Sequence, residues 1–272
     1  MHIITFGTTG YSVRYRDYSI ELERIQSQAI KLGCSFEGYT QTSQIILESP
    51  LGQNAYPMRK GAGYWSWKPD IILDSIRKHP YELILYLDAD FELVDIRPLF
   101  RNSPGINQGL SLFKSPHLLN DWISDRCANF FGISSNTNFP MFTAGAILIN
   151  PQAPTVIRDL VNWQRYLANP RLLLDPIFDF KLKHRHDQSI LSAMIAAGLI
   201  NVAPLPDGIY VEAVSVNVDY EASWLRTKNS QPGKSGISNF IVRIRSLYFH
   251  KMELILYWLL KNVGSPKSWM HR

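Results

Sequence analysis

The chain has 272 residues, 46% of them hydrophobic and 12% aromatic, enough to bury a full core and close to the upper size of one α/β domain. Its formal charge of +5 is localised: residues 238–272 carry Arg243, Arg245, Lys251, Lys261, Lys267 and Arg272 against the single acid Glu253, and the remainder is balanced. A neutral body with a basic, apolar tail excludes the broad basic face of a nucleic-acid binder and points to an anionic surface such as a membrane leaflet.

The opening MHIITFG has no basic n-region, apolar h-region or cleavage site, so a cytoplasmic chain is expected, peripheral at the inner face of the membrane where its tail engages lipid. The apolar run LILYWLL is far shorter than the roughly 20 residues that span a bilayer. Cys34 and Cys127 have neither metal-ligand spacing nor the density of a disulfide scaffold, and read as reduced thiols.

Strand and helix signals alternate along the chain, which predicts an α/β fold with a mostly parallel central sheet. Ile3-Ile4-Thr5-Phe6 reads as a strand ending at Gly7, and a helix follows over about 17–32, with Leu22, Ile25, Ala29 and Leu32 on one face. Residues 48–63, rich in Gly and Pro, read as a long loop that delivers Tyr64-Trp65-Ser66-Trp67-Lys68-Pro69 to a helix ending at Lys78. Leu83-Ile84-Leu85-Tyr86-Leu87 is continuously apolar, as a strand covered on both faces would be, and it ends in Asp88-Ala89-Asp90. Strands are predicted at 110–113, 146–149 and near Val202, and helices between Pro154 and Pro170 and from Asp187 to Gly198. The expected organisation is a catalytic domain over 1–213, a connection over 214–237, and a basic amphipathic helix and tail over 238–272.

Two carboxylates one residue apart at the end of a buried strand are costly unless a cation neutralises them. A hard divalent ion, Mn²⁺ or Mg²⁺, is the natural partner, because it takes oxygen ligands and shares its shell with substrate phosphates. Asp88 and Asp90 are therefore the candidate metal ligands. In open α/β sheets ligands collect beyond the carboxyl ends of strands, which makes the loop after the first strand a candidate nucleotide site. Arg14 and Lys68 each offer a charge on a loop or helix start near that cleft and are candidates for a diphosphate. Trp65 could stack on a sugar ring, whereas Trp67 reads as packed. His186, Asp187 and Gln188 open a helix and form a second polar cluster, larger than an N-cap needs.

These segments together resemble a known family. YLDADFELVDIRPLF is similar to the Asp-x-Asp segment of GT-A type glycosyltransferases, and GAGYWSWKPDII resembles a segment of bacterial and viral enzymes that build surface polysaccharides. FTAGAILIN is similar to the Gly-bearing strand that lines their donor sugar pocket, and HDQSIL to the Asp-Gln helix start of the glycogenin and galactosyltransferase type. The resemblance covers roughly residues 1–205. It implies a single GT-A domain that moves a sugar from a nucleoside-diphosphate sugar, a UDP-sugar favoured, to a glycan or lipid-linked acceptor.

By the same resemblance, Asp90 binds the metal and Asp88 the metal or the ribose, and Thr5, Phe6 and Gly7 seat the base. Gly145 and His186 border the substrate. Asp187 serves as general base in an inverting reaction, or Asp187 and Gln188 hold donor and acceptor in a retaining one. The nearest counterpart of the C-terminal histidine ligand of the glycogenin type is His250, which lacks the accompanying Gly and Lys and stays outside the metal set. Two other readings of the same residues are a sugar-phosphate nucleotidyltransferase and a non-catalytic membrane-surface scaffold.

Overall fold

The structure is a computed structural model that describes residues 1–10, 17–49, 61–91, 93, 109–134, 137–174 and 184–204. Arg14, His250, the connection 214–237 and the helix expected within 238–272 lie outside the described residues.

A six-stranded sheet organises these residues in the order β2-β1-β3-β5-β4-β6. The strands are β1 (His2–Phe6), β2 (Ser35–Tyr39), β3 (Ile84–Asp88), β4 (Leu110–Leu118), β5 (Pro140–Ile149) and β6 (Val202–Pro204). The ladders β1·β2, β1·β3 and β4·β6 are parallel, while β5 runs antiparallel to both β3 and β4. The sheet is thus mostly parallel, as expected, with one inverted strand set in its interior.

Helix α1 (Ser19–Lys31) links β1 to β2, and α2 (Gln44–Glu48) follows β2. Helix α3 (Lys68–Lys78) has its proline in the first turn, where a missing N–H costs nothing, and leads into β3. Short helices α4 (Leu119–Trp122) and α5 (Asp125–Phe131) precede β5, the latter ending on Gly132 at φ 68°. Helices α6 (Val156–Leu167), α7 (Pro170–Leu173) and α8 (His186–Ala196) precede β6. No described helix is long and apolar enough to cross a membrane.

Alternation along the strands divides the core in two. Ile4, Phe6, Ile84 and Tyr86 face a layer built from Ile71 and Ile72 of α3, Leu160 and Trp163 of α6, and Ile190 and Met194 of α8. Ile3, Leu85 and Leu87 face Ile25 and Ala29 of α1, together with Phe91 and Leu93. Each of these aliphatic side chains, fully withdrawn from water, contributes about 1.5–3 kcal/mol before chain entropy is counted.

On β5, Phe142 and Ala144 share a face with Ile147 and Ile149, so the alternation slips around Gly145. The β4·β5 register shifts over the same stretch. Such a bulge re-aims backbone and side chains, and this one lies beside the end of β3.

Candidate active site

The site begins where β3 stops. Register pairs Phe6 with Asp88 and Leu87 with Ala146, so Asp88 emerges between the end of β1 and the bulge of β5. Asp88 and Tyr86 lie two residues apart on one face of the strand, and the Tyr86 hydroxyl donates to Asp88 Oδ1. Helix α1 fixes the turn that follows. Arg24 donates to the carbonyls of Ala89 and Phe91 at 3.1 and 2.8 Å, and Gln28 Oε1 accepts the Leu93 N–H at 3.0 Å. Asp88 is partly buried, whereas Asp90 is exposed.

Lys68, at the start of α3, is buried and extends its ammonium to this turn. Nζ lies 3.1 Å from Asp88 Oδ1 and 2.8 Å from Asp187 Oδ2, and it donates to the Ala144 carbonyl at 3.0 Å. Burial alone would push this ammonium below its ordinary range, but Asp187 and Asp88 reverse that and hold it firmly charged. Burial pushes the Asp187 carboxyl up to about 6, with Lys68 offsetting part of the rise. Lys68, expected at a diphosphate, thus has its ammonium held by three protein oxygens. It joins the Asp-x-Asp turn to the His-Asp-Gln helix start.

The segment delivering Lys68 is strained. Ala62, Tyr64 and Trp65 adopt φ of 48°, 59° and 58°, left-handed values that cost non-glycine residues about 1–3 kcal/mol each and cluster at functional sites. His186 is a fourth such residue, at φ 44°. The two strained segments meet: the His186 ring lies edge-on to Tyr64 at 4.7 Å and stacks on Trp65 at 6.2 Å. His186 is buried, and its Nδ1–H donates to the Leu173 carbonyl at 2.7 Å, so it also ties α8 to α7. Asp70 anchors the base of the same segment, accepting from Ser49 Oγ at 3.1 Å and from Gln164 of α6.

Trp65 is half-buried, while Trp67 is packed on Phe6 with ring centroids 3.9 Å apart. Thr5 is wholly buried, and its hydroxyl has no hydrogen-bond partner among the described residues. Gly7 has no room for a side chain, because a Cβ there would lie 2.8 Å from Tyr18 Cβ. At Gly145 a Cβ would lie 2.8 Å from both Asp88 Oδ2 and the Phe91 ring, so the absent side chain is what admits the acidic turn. Gln188, in the first turn of α8, is buried with its Nε2 unpartnered among the described residues.

The structure therefore brings Lys68, Asp88, Gly145 and Asp187 together, with Trp65 and His186 forming one aromatic contact beside the same two segments. Tyr86, Arg24 and the Ala144 carbonyl are additions to the site. Tyr86 was recoverable from its two-residue offset to Asp88, but nothing local to Arg24 marks it.

The carboxylates of Asp88 and Asp90 are hard oxygen donors on one turn, a set that suits Mg²⁺ or Mn²⁺. The described residues that could supply three ligand atoms to one ion lie elsewhere, at the opposite end of β1. At the acidic turn the rest of a coordination shell would thus fall to ligand phosphates and water, the usual arrangement for Mg²⁺.

No family model matches the chain, and no curated protein matches it. Solved structures do. The galactosyltransferase LgtC in complex with donor and acceptor sugar analogs is 14% identical, with 78% of this chain and 82% of that chain covered at a TM-score of 0.40. Mouse xyloside xylosyltransferase 1 is 14% identical over 75% of this chain and 84% of that one, at 0.41. The glycosyltransferase GlyE of Streptococcus pneumoniae is 17% identical over 84% of this chain and 49% of that one, at 0.41. These three are glycosyltransferases.

Proposed function

We propose that the chain is a glycosyltransferase that takes a sugar from a nucleoside-diphosphate sugar, a UDP-sugar favoured, with Asp88 and Asp90 holding Mn²⁺ or Mg²⁺. The observation that carries this reading is the buried Lys68 ammonium between Asp187 and Asp88, at the end of a central strand beside a glycine that leaves the acidic turn its space. A fold gains little from burying such a charged group where apolar residues would pack, so its retention is more readily explained by positioning.

Each residue then has a task. Tyr86 and Lys68 fix Asp88, and Arg24 fixes the turn, leaving exposed Asp90 as the second oxygen donor. The bound ion would supply electrostatic stabilisation of the departing diphosphate. The end of β1, level with Asp88, borders the nucleotide, with Phe6 and Gly7 near the base. Asp187, ionised above about pH 6, accepts a hydrogen bond from a substrate hydroxyl, and Gln188 Nε2, unpartnered among the described residues, donates to the sugar. The half-buried Trp65 offers an apolar ring face to the acceptor. The acceptor is a glycan or lipid-linked saccharide of a surface polysaccharide, a reading supported by the basic tail, which would bring the enzyme to anionic lipid.

Incubation of the full chain with a panel of radiolabelled nucleotide sugars tests this, with and without Mn²⁺ and with water or lipid-linked glycans as acceptor. Release of nucleoside diphosphate that requires Mn²⁺ and stops in Asp90→Asn is expected. Release of pyrophosphate from a nucleoside triphosphate and a sugar phosphate would instead identify a nucleotidyltransferase. No turnover with any donor would leave the scaffold reading.

A further inference from the structure

We propose that His2, Glu37 and His79 form a second divalent-cation site, suited to zinc, at the end of the sheet remote from Asp88. The three residues converge from separate elements: His2 opens β1, Glu37 lies in β2, and His79 follows the last residue of α3. One ligand atom from each lies within 4.8 Å of those of the other two. His2 pairs with Ile84 while Asp88 pairs with Phe6, so four strand residues, about 13 Å, separate this cluster from the acidic turn.

Two features distinguish it from a chance gathering of polar groups. The first is the buried Nε2 of His2, which has no hydrogen-bond partner among the described residues and points towards Glu37, with Oε2 at 3.8 Å. That distance is too long for a hydrogen bond. A buried ring nitrogen is rarely left so, because an unmet polar group costs about 1–3 kcal/mol. The second is that the other ring nitrogens are already oriented. His2 Nδ1 meets Ser35 Oγ at 2.9 Å, and His79 Nδ1 meets Glu82 Oε1 at 3.1 Å. Metal-bound imidazoles characteristically use their second nitrogen in this way, which fixes ring and tautomer.

The rings of His2 and His79 stack at 3.7 Å, where two positive charges would repel. Glu37 shares its charge with Lys78, whose Nζ lies 2.6 Å from Oε1, while its Oε2 accepts from Tyr39 at 3.0 Å. Tetrahedral ligation at about 2.0–2.2 Å needs the ligand atoms to close to roughly 3.3 Å. Buried His2 can stay in place while the partly exposed side chains of Glu37 and His79 make that movement, His79 tilting out of its stack on His2 so that both ring lone pairs meet at the ion. Two imidazoles and a carboxylate are borderline donors that suit Zn²⁺ better than the Mg²⁺ or Mn²⁺ favoured by the acidic turn. A cation here would join β1, β2 and the end of α3 and so raise the stability of the domain.

The test is zinc retention by metal-free full-length protein after gel filtration, with thermal unfolding followed across a Zn²⁺ titration. Wild type is expected to keep zinc at about a 1:1 ratio and to unfold at higher temperature as zinc is added. His79→Gln and Glu37→Gln should each weaken retention at least about tenfold, and Glu82→Gln by about 10–100-fold through loss of the orienting contact. Asp90→Asn should retain zinc as wild type does. Failure of wild type to retain zinc, equal retention by both His79→Gln and Glu37→Gln, or loss in Asp90→Asn would overturn the assignment. Glu37→Gln covers the case in which the His79 variant fails to fold.

Discussion

Lys68 and Asp187 form a buried ion pair, Nζ to Oδ2 2.8 Å, that couples the first turn of α3 to the first turn of α8 across the end of the sheet. Both residues have nearly no exposure, so each charge depends on the other, and Asp88 further supports the Lys68 ammonium. Removing the cation leaves two carboxylates facing each other without compensation. Lys68→Met is therefore expected to lower stability by about 3–5 kcal/mol, read from urea unfolding of the variant beside wild type. A loss under about 1 kcal/mol would mean that Asp88 and Asp187 find other partners.

The same burial sets a pH dependence. Asp187 titrates at about 6 in the folded chain and near 4 when unfolded, so between these values the folded state binds the extra proton. Its contribution to stability is largest below pH 4 and is lost as pH rises through about 6. Stability of wild type relative to Asp187→Asn should thus fall over that window and level off above it. Sugar transfer should move the opposite way, rising with pH through about 6 as the carboxylate ionises. Flat profiles for both quantities would remove Asp187 from the charged set.

Gly145 tests the geometry of the acidic turn without touching a charge. A methyl group there would sit 2.8 Å from Asp88 Oδ2 and the Phe91 ring, and the backbone of β5 cannot easily withdraw. Gly145→Ala should cost about 1–3 kcal/mol of stability and lower kcat by a larger factor than it raises KM for the donor. Wild-type kinetics in that variant would mean the space beside Asp88 is idle.

Arg24 holds the acidic turn from α1. Its guanidinium reaches the Ala89 and Phe91 carbonyls from α1, so Arg24→Ala should release the turn at a cost of about 1–3 kcal/mol and reduce metal-dependent turnover. Lysine has one charged head in place of a planar fork, so Arg24→Lys should restore only part of the activity. Full activity in the alanine variant would assign Arg24 a purely structural part.

Much of this frame is legible before any coordinates are seen. The apolar runs of β1 and β3, the one-face stripe of α1 and the Pro-bounded α6 follow from local pattern, and the acidic pair at the end of β3 marks the site. Strand β2 is different. Ser35-Phe36-Glu37-Gly38-Tyr39 lies at the sheet edge with only Tyr39 buried, and only pairing with β1 makes it a strand. The inversion of β5 is equally silent, since an apolar run reports burial and not direction. The aromatic segment singles out Lys68 as a candidate cation, but its acidic partners arrive from β3 and α8, a tertiary relationship that no local pattern carries.

The central claim is a divalent ion held by the acidic turn as a seat for a nucleoside diphosphate. Calorimetric titration of UDP into the full chain in Mn²⁺ buffer, repeated in EDTA and with Asp90→Asn, measures it directly. Saturable binding that weakens at least about tenfold both without Mn²⁺ and in Asp90→Asn, with the variant's melting temperature close to wild type, is the expected result. Equal UDP affinity under all three conditions would contradict it.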